Sequence, residues 1–552
     1  MKKYTVGRLL VDVLQANEIS TVFGVVSVHN MPIMDAIADA KSIEMVMTRG
    51  ETGAAHMADG CSRATNKLGV VVSSTGPGAA NAVPGLAEAL FSGTPLLHIT
   101  GRSPTKYMCK NVGAVHDMPT QAQMLGSVSK AVFCINDPAD ALRVIRQAIQ
   151  TALSAPTGPV SLEIPIDIQS ATVTPSKDAS ELLVSSQQVE LVDHTAMEAL
   201  VSITRSARRP MIWVGSGAKS AKEPLLRLME AGFGIVTSWA GRGIVSDAHP
   251  ANLGALNGAG LPDIQALYRT TDLMLVVGSR LRGQETDNQT VPLPDNIVRI
   301  DIDPDADGRG YANNLFVLGD SNEVLTKLAD AVCGKMEIAP TFADDLAQAK
   351  AASAEHHLAT LGPYKDFPRV LRRSVPQDAV WVRDITMSNS VWGHKLFPLT
   401  DRVQNIYPVS AGIGQGLQLG IGAAAGANTR SVVLMTGDGG FYFNMSELWT
   451  AVQAKLNLLI IVMNDQGYGA IRGIQNIVCD GRHNYDELMG PGFEGIAELA
   501  GMHFRMVKNV QDFEQAVVEA ASLKGLRLIE VDMNSIGALP MYHPYQMHKE
   551  VA

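Results

Sequence analysis

Residues 431–469, SVVLMTGDGGFYFNMSELWTAVQAKLNLLIIVMNDQGYG, constrain the fold of this chain more than any other stretch. Residues 431–436 form a β-branched and apolar run, suited to a buried strand, that stops at Gly437-Asp438-Gly439-Gly440. Met445, Leu448, Trp449, Val452 and Leu456 then follow at the spacing of a helix with one apolar stripe. A second apolar run, 458–463, ends at Asn464-Asp465-Gln466-Gly467. The pattern predicts a strand–helix–strand unit. If its strands are parallel neighbours, both polar turns lie at the carboxyl edge of one sheet, where open α/β sheets bind ligands, with Asp438 and Asp465 side by side. Such hard oxygen ligands suit Mg²⁺, and the glycines let backbone N–H groups approach phosphates. An isolated GDG also marks a plain tight turn.

The spacing separates the two readings. GDG followed by 24 residues and then Asn464-Asp465 resembles the diphosphate and metal motif of thiamine-diphosphate (ThDP) enzymes. By position, the resemblance implies Asp438, Asp465 and the Gly467 carbonyl as Mg²⁺ ligands. Gly437, Gly439, Gly440, Tyr468 and Gly469 would surround the cofactor diphosphate. The chain has Asp465 where the family often has Asn, and the extra negative charge should tighten Mg²⁺ while repelling the diphosphate.

The 552 residues, 46% apolar, suffice for about three domains. A net charge of −10 without a basic run argues against nucleic acid or an anionic membrane as partner. Cys61, Cys109, Cys134, Cys333 and Cys479 show no metal-type spacing, and their odd number argues against a disulfide framework. No apolar run is long enough to span a bilayer, and the first residues read as an amphipathic helix. A soluble, cytoplasmic protein is expected.

The fold class expected is α/β, with three doubly wound parallel-sheet domains. In residues 1–170, strands are expected at 22–26, 43–47, 70–73 and 95–100. A polar linker covers about 171–189. A second unit, 190–330, has strands near 211–214, 234–237, 273–277 and 297–302. Residues 331–365 read as a helical connector, and 366–552 hold the third unit. This order resembles the acetolactate synthase, 2-oxo acid decarboxylase and benzaldehyde lyase group of ThDP enzymes. There a pyrimidine-binding, a central Rossmann-like and a diphosphate-binding domain follow one another.

Glu51 opens an expected helix at 52–65, where a carboxylate alone would suit the helix dipole. Its surroundings, RGETGAAHMADGCSRAT, resemble the family stretch carrying the cofactor-activating glutamate. The resemblance implies that Glu51 is catalytic and hydrogen-bonds N1′ of the aminopyrimidine, favouring the imino tautomer that can remove the thiazolium C2 proton. Ala411-Gly412-Ile413-Gly414 matches the segment beneath the thiazolium. Ile413 would be the apolar wedge, and the Ala411 carbonyl would accept from the 4′-amino group. Thr386, Ser388 and Asn389 fall where relatives contact the diphosphate. Since the family takes the glutamate from one subunit and the GDG aspartate from another, a homodimer or homotetramer is implied.

His29 and His116 fall where relatives place polar side chains above C2, and an imidazole titrating near neutrality can relay protons. Either histidine alone equally suits a structural role. Val28 and Ser74 replace acidic and histidine residues of pyruvate and benzoylformate decarboxylases, which disfavours both activities. Ala470, Ile471 and Ile474 suit a pocket wall or a buried helix face. In the central unit, ARRPMIWVGSGA and VVGSRLRGQET resemble the region that holds FAD or ADP in relatives, with Arg280 as a phosphate partner, or that holds nothing. No complete GxGxxG fingerprint supports a nicotinamide dehydrogenase.

The resulting expectation is a ThDP- and Mg²⁺-dependent enzyme that makes or breaks carbon–carbon bonds of 2-oxo acids, aldehydes or hydroxy ketones. An acetolactate-synthase-like carboligase or 2-oxo acid decarboxylase comes first. A benzaldehyde-lyase-like or 2-hydroxyacyl-CoA lyase is the enzymatic alternative, and an inactive cofactor-binding paralogue is the rival from another class.

Overall fold

Three wholly parallel sheets follow one another along the chain in the computed structural model, which describes residues 3–539 except 109, 111, 177, 187–192, 256–261 and 428. The first runs, edge to edge, Glu44–Met47, Thr21–Gly24, Gly69–Ser73, Leu96–Arg102, Pro159–Pro165, Val132–Cys134. The central sheet runs Leu315–Leu318, Ile297–Asp301, Leu273–Val277, Pro210–Val214, Gly234–Thr237. The third runs Asn405–Ile406, Val380–Arg383, Val432–Gly437, Leu458–Asn464, Leu526–Asp532, His503–Val507. Counted from its own first strand, the third sheet repeats the strand order of the first. Their central strands are buried on both faces, as continuous apolar runs such as Leu458–Asn464 require.

The predicted parallel pair exists: Val432–Gly437 and Leu458–Asn464 are neighbours, with Gly437 opposite Met463. The connection differs from the expected single helix. Gly437 ends the strand and caps a helix, Asp438–Phe443, that begins on the aspartate itself. It breaks at Asn444 (φ −134°), and Leu448–Gln453 resumes after one turn of 3₁₀-helix. The break lets the Asn444 amide donate to the Gly414 carbonyl at 2.6 Å.

The first and third units share one apolar core, centred where helix Glu51–Thr65 lies against helix Gly416–Gly426. Gly60 faces the Leu419 backbone, and Gly422 faces the Met57 backbone so closely that a Cβ would fall on its carbonyl oxygen. These close approaches set the spacing of the two units. Gly422→Ala is therefore expected to destabilise the protein by about 3 kcal/mol through overpacking. Gly420→Ala on the same helix, whose Cβ would lie 3.5 Å from Leu434, should be nearly neutral. Thermal melts of the two variants check this, and equal melting temperatures would refute the close approach.

Candidate active site

The first sheet gathers Glu51, His29 and His116 around one turn at its carboxyl edge. Helix Glu51–Thr65 starts on Glu51, capped by the extended Gly50, and leaves the glutamate 9% exposed. Asn81 Nδ2 donates to Glu51 Oε2 at 3.3 Å. Gly78 lies so near that a Cβ there would stand 2.6 Å from Glu51 Oε1. Residues 75–76 are held by Gln121, whose Oε1 accepts from the Thr75 hydroxyl (3.0 Å) and the Gly76 N–H (2.6 Å). Gly76 in turn packs on the His116 backbone. His116 is exposed, with a left-handed backbone, and its ring centroid lies 5.2 Å from that of the buried His29. Burial, and then the neighbouring His116, hold His29 below the ordinary imidazole range. His29 Nδ1 is buried with no hydrogen-bond partner among the described residues. A neutral ring with an unpartnered nitrogen beside a second histidine can accept or release a proton.

The third sheet gathers the other candidates. Gly467 N–H donates to Asp438 Oδ2 at 2.9 Å, which holds the loop after Leu458–Asn464 beside the aspartate. Asp486 braces that loop by accepting from Tyr468 N–H at its carbonyl (2.8 Å). Its carboxylate accepts from Arg472 Nε (2.7 Å). The Tyr468 ring covers Gly439, and Gly469 leaves room for the Asp465 carboxylate. Burial, and next the Asp438 charge, push Asp465 up to about 7, and burial also raises Asp438. Two adjacent carboxylates are hard oxygen donors, a set that fits a divalent metal completed by backbone, water or phosphate oxygens.

Of the upstream trio, Thr386 accepts from Asn389 N–H with its own hydroxyl (2.9 Å). The Ser388 hydroxyl is buried without a partner, as a group awaiting a ligand would be. Asn389 does not face outward. Its amide donates to the Asp384 carbonyl (2.9 Å) and meets His394 (3.0 Å), so it is spent inside the fold. Ala411 is exposed in a left-handed conformation (φ +65°), and Ile413 is 36% exposed, unusual for a large apolar side chain beside a polar site. Helix Gly469–Val478 has no buried residue, and Ile471 is 46% exposed, so 470–474 do not form a buried helix face.

Three organising residues carry no motif in the sequence. Asp384, fully buried, accepts from Ile385 and Gly414 N–H groups and the Thr436 hydroxyl; burial pushes it up to about 6. Glu447 accepts from the Arg49 N–H and the Thr450 hydroxyl and so holds the approach to Glu51 from the third unit. Gln121 is the third. The signal for Asp384 was its place at the end of a strand, directly after Val380–Arg383.

Among the described residues, no hydrogen bond or ion pair joins Glu51, His29 or His116 to Ala411–Gly414, Asp438 or Asp465. A separate cleft of about 270 Å³ lies against the central sheet, lined by Gly215, Lys219, Arg280, Asp301 and Arg309. Arg280 donates to the Phe91 carbonyl of the first unit at 3.2 Å.

Comparison with known proteins fits this geometry. Residues 4–124 match the family model "Thiamine pyrophosphate enzyme, N-terminal TPP binding domain". The model of the central domain matches residues 197–328, and that of the C-terminal TPP binding domain residues 386–531. The chain is 27% identical to "Acetolactate synthase isozyme 2 large subunit" of Escherichia coli, over 98% of both chains. It is 26% identical to "Probable acetolactate synthase large subunit" of Methanocaldococcus jannaschii, over 97% of this chain and 93% of that one. A "Probable 2-ketoarginine decarboxylase" of Pseudomonas aeruginosa is 26% identical, over 96% and 94%. With three successive models matching the three sheets, the chain belongs to the thiamine pyrophosphate-dependent enzymes, in the group of acetolactate synthases and 2-oxo acid decarboxylases.

Proposed function

We propose that the protein is a ThDP- and Mg²⁺-dependent carboligase or decarboxylase of 2-oxo acids. The observation that carries this reading is the Asp438–Asp465 pair, side by side directly after the ends of two neighbouring parallel strands, inside the segment matched by the C-terminal TPP binding domain. Among the described residues no group of three or more His, Cys, Asp or Glu could hold a metal. Mg²⁺ at the pair would therefore draw its remaining ligands from backbone, water and phosphate oxygens. The unpartnered Ser388 hydroxyl and the Gly439 and Gly440 backbone suit a diphosphate. Ile413 offers an apolar platform, and Glu51 a carboxyl for the aminopyrimidine. The cofactor, when bound, supplies an electron sink for negative charge developing beside a carbonyl.

The protein's own part is binding, orientation and proton handling. Glu51 holds a proton at N1′. The Ala411 carbonyl orients the amino group. His29 and His116 carry protons to and from the reacting oxygens and carbon, with His29 neutral at physiological pH as its depressed pKa requires. Among the described residues no hydrogen bond or ion pair joins the two groups within one chain, which suits a second copy completing each centre. Exposed apolar side chains at both rims, Val28 and Val115 in the first unit and Phe443 and Met489 in the third, fit such an interface. No helix among the described residues is long and apolar enough to cross a membrane. A nucleotide in the central cleft forms no part of this reading.

The test is CO₂ release from small, branched, aromatic and basic 2-oxo acids, with ThDP and Mg²⁺ added. Release from one class identifies the donor, and product analysis separates decarboxylation from ligation. Calorimetry run alongside must show ThDP binding, and its absence would refute the reading. Binding without CO₂ release would instead favour cleavage of hydroxy ketones or acyl-CoA substrates.

A further inference from the structure

The loop 407–414, which carries Ala411 and Ile413, is pinned at both ends by buried carboxylates from different units. At its far end the Gly414 N–H donates to Asp384 Oδ1 (3.1 Å), while the Gly414 carbonyl accepts from Asn444 (2.6 Å). At its near end the carboxylate is Glu88, a first-unit residue. It is fully buried and is the only charged residue of helix Pro77–Ser92. Glu88 Oε1 accepts from Val409 N–H and from Arg63 Nη2, both at 2.7 Å. Its Oε2 accepts from Ser410 N–H at 2.9 Å and from the Ser410 hydroxyl at 2.5 Å. Arg63 donates through Nη1 to the Tyr407 carbonyl (2.7 Å) and is itself held by Asp59 (2.6 Å). Residues 407, 409 and 410 thus all end on one buried ion cluster. The next residue, Ala411, has the left-handed backbone that costs a non-glycine residue about 1 kcal/mol or more and persists only where its surroundings enforce it.

We propose that Glu88 is a positioning residue for this loop: a first-unit carboxylate that fixes the Ala411 carbonyl and the Ile413 side chain of the third unit. What the loop faces rests on the ThDP reading; the attachment rests on the hydrogen bonds alone. The residue type matters. Four donors converge on two oxygens, which a carboxylate satisfies in full, whereas a glutamine would turn its own NH₂ donors toward the loop's donors. The helix also begins at the Gly76–Gly78 turn beside Glu51, so one rigid element touches both groups of site residues in a chain.

The test compares wild type, Glu88→Gln and Ser410→Ala by three measurements on the full chain. These are the melting temperature, amide hydrogen exchange across 409–414 without cofactor, and exchange of the C2 proton of bound ThDP followed by quenched NMR, which needs no substrate. Glu88→Gln is expected to speed amide exchange at 409–411 about tenfold or more as the loop opens locally. It should slow C2 exchange about tenfold or more through misplacement of the loop. Ser410→Ala, which removes one donor and leaves the ion cluster, should move both in the same directions by smaller factors. Unchanged amide exchange in folded Glu88→Gln would overturn the attachment. Faster amide exchange with unchanged C2 exchange would overturn the positioning role. Should Glu88→Gln not fold, Ser410→Ala decides by the same readouts, and no change in either overturns the proposal. Failure of the wild type to bind ThDP would refute the functional reading instead, while amide exchange would still decide the attachment.

Discussion

Glu51→Gln is expected to lower turnover about a hundredfold or more, the scale of a positioned acid or base, while the protein still folds and still binds ThDP. Glutamine keeps the length of the side chain and can still meet Asn81, which now bonds Oε2 at 3.3 Å. What it loses is a proton to share with N1′. The competing reading, a carboxylate that merely favours the helix N-terminus, makes the opposite prediction. Removing a charge from the first turn costs about 0.3–1 kcal/mol of stability and would leave turnover unchanged. The melting temperature, the ThDP dissociation constant and kcat on the accepted substrate separate the two. A small stability loss with intact kcat would end the catalytic assignment. Stability and affinity near wild type with collapsed kcat would establish it. Asn81 gives a weaker companion: as the neighbour of the Glu51 carboxyl, its replacement by alanine should move kcat in the same direction by a smaller factor.

The place of Glu51 could be read from the sequence because what sets it is local, a strand end, a glycine cap and the helix it opens, while its catalytic role is what the resemblance of RGETGAAHMADGCSRAT implies. The same holds for Asp438 and Asp465, where two apolar runs and their polar ends determine the sheet, the parallel pairing and the edge at which the carboxylates meet. The residues that escaped act across the chain. Glu88 reaches Val409, Glu447 reaches Arg49, and Gln121 holds the Thr75–Gly76 turn. No periodicity reports such contacts, and a lone glutamate in an otherwise uncharged helix is only a faint sign. Asn389 shows the reverse case. Its spacing suggested the diphosphate, but the fully buried Arg383 and His394 beside it need polar partners and take its amide. The helix Asp438–Phe443 and its break at Asn444 were hidden because the apolar stripe begins only at Met445. A tertiary bond to Gly414 there outweighs local propensity. Short edge strands such as Val132–Cys134 and Asn405–Ile406 carry too few residues for an alternating pattern to show.

Asp438→Asn should abolish cofactor-dependent stabilisation without harming the fold. Asp438 does two things in the structure: it supplies a carboxylate beside Asp465, and it accepts the Gly467 N–H at 2.9 Å. Asparagine retains an oxygen for the second task and removes the charge needed for the first. Loss of groups that merely support metal ligands costs 10–100-fold in affinity, so loss of a ligand charge should weaken Mg²⁺-dependent ThDP binding by about a hundredfold or more. The free protein should respond with the opposite sign. The Asp438 charge helps to raise the pKa of its neighbour Asp465, so the two carboxylates repel and removing one charge relieves the fold. Its melting temperature without ligands should therefore equal or exceed that of the wild type. With ThDP and Mg²⁺ at about a hundred times the dissociation constant, the wild type gains about 2.7 kcal/mol, and Asp438→Asn should gain almost none. Chelating the metal from the wild type should reproduce that loss. Asp438→Ala, lacking the acceptor as well, should lose the same binding and also release the 464–469 loop, seen as faster amide exchange there. A variant in which asparagine keeps the full ligand-induced rise would remove the metal from this pair of aspartates and, with it, the observation on which the functional reading rests.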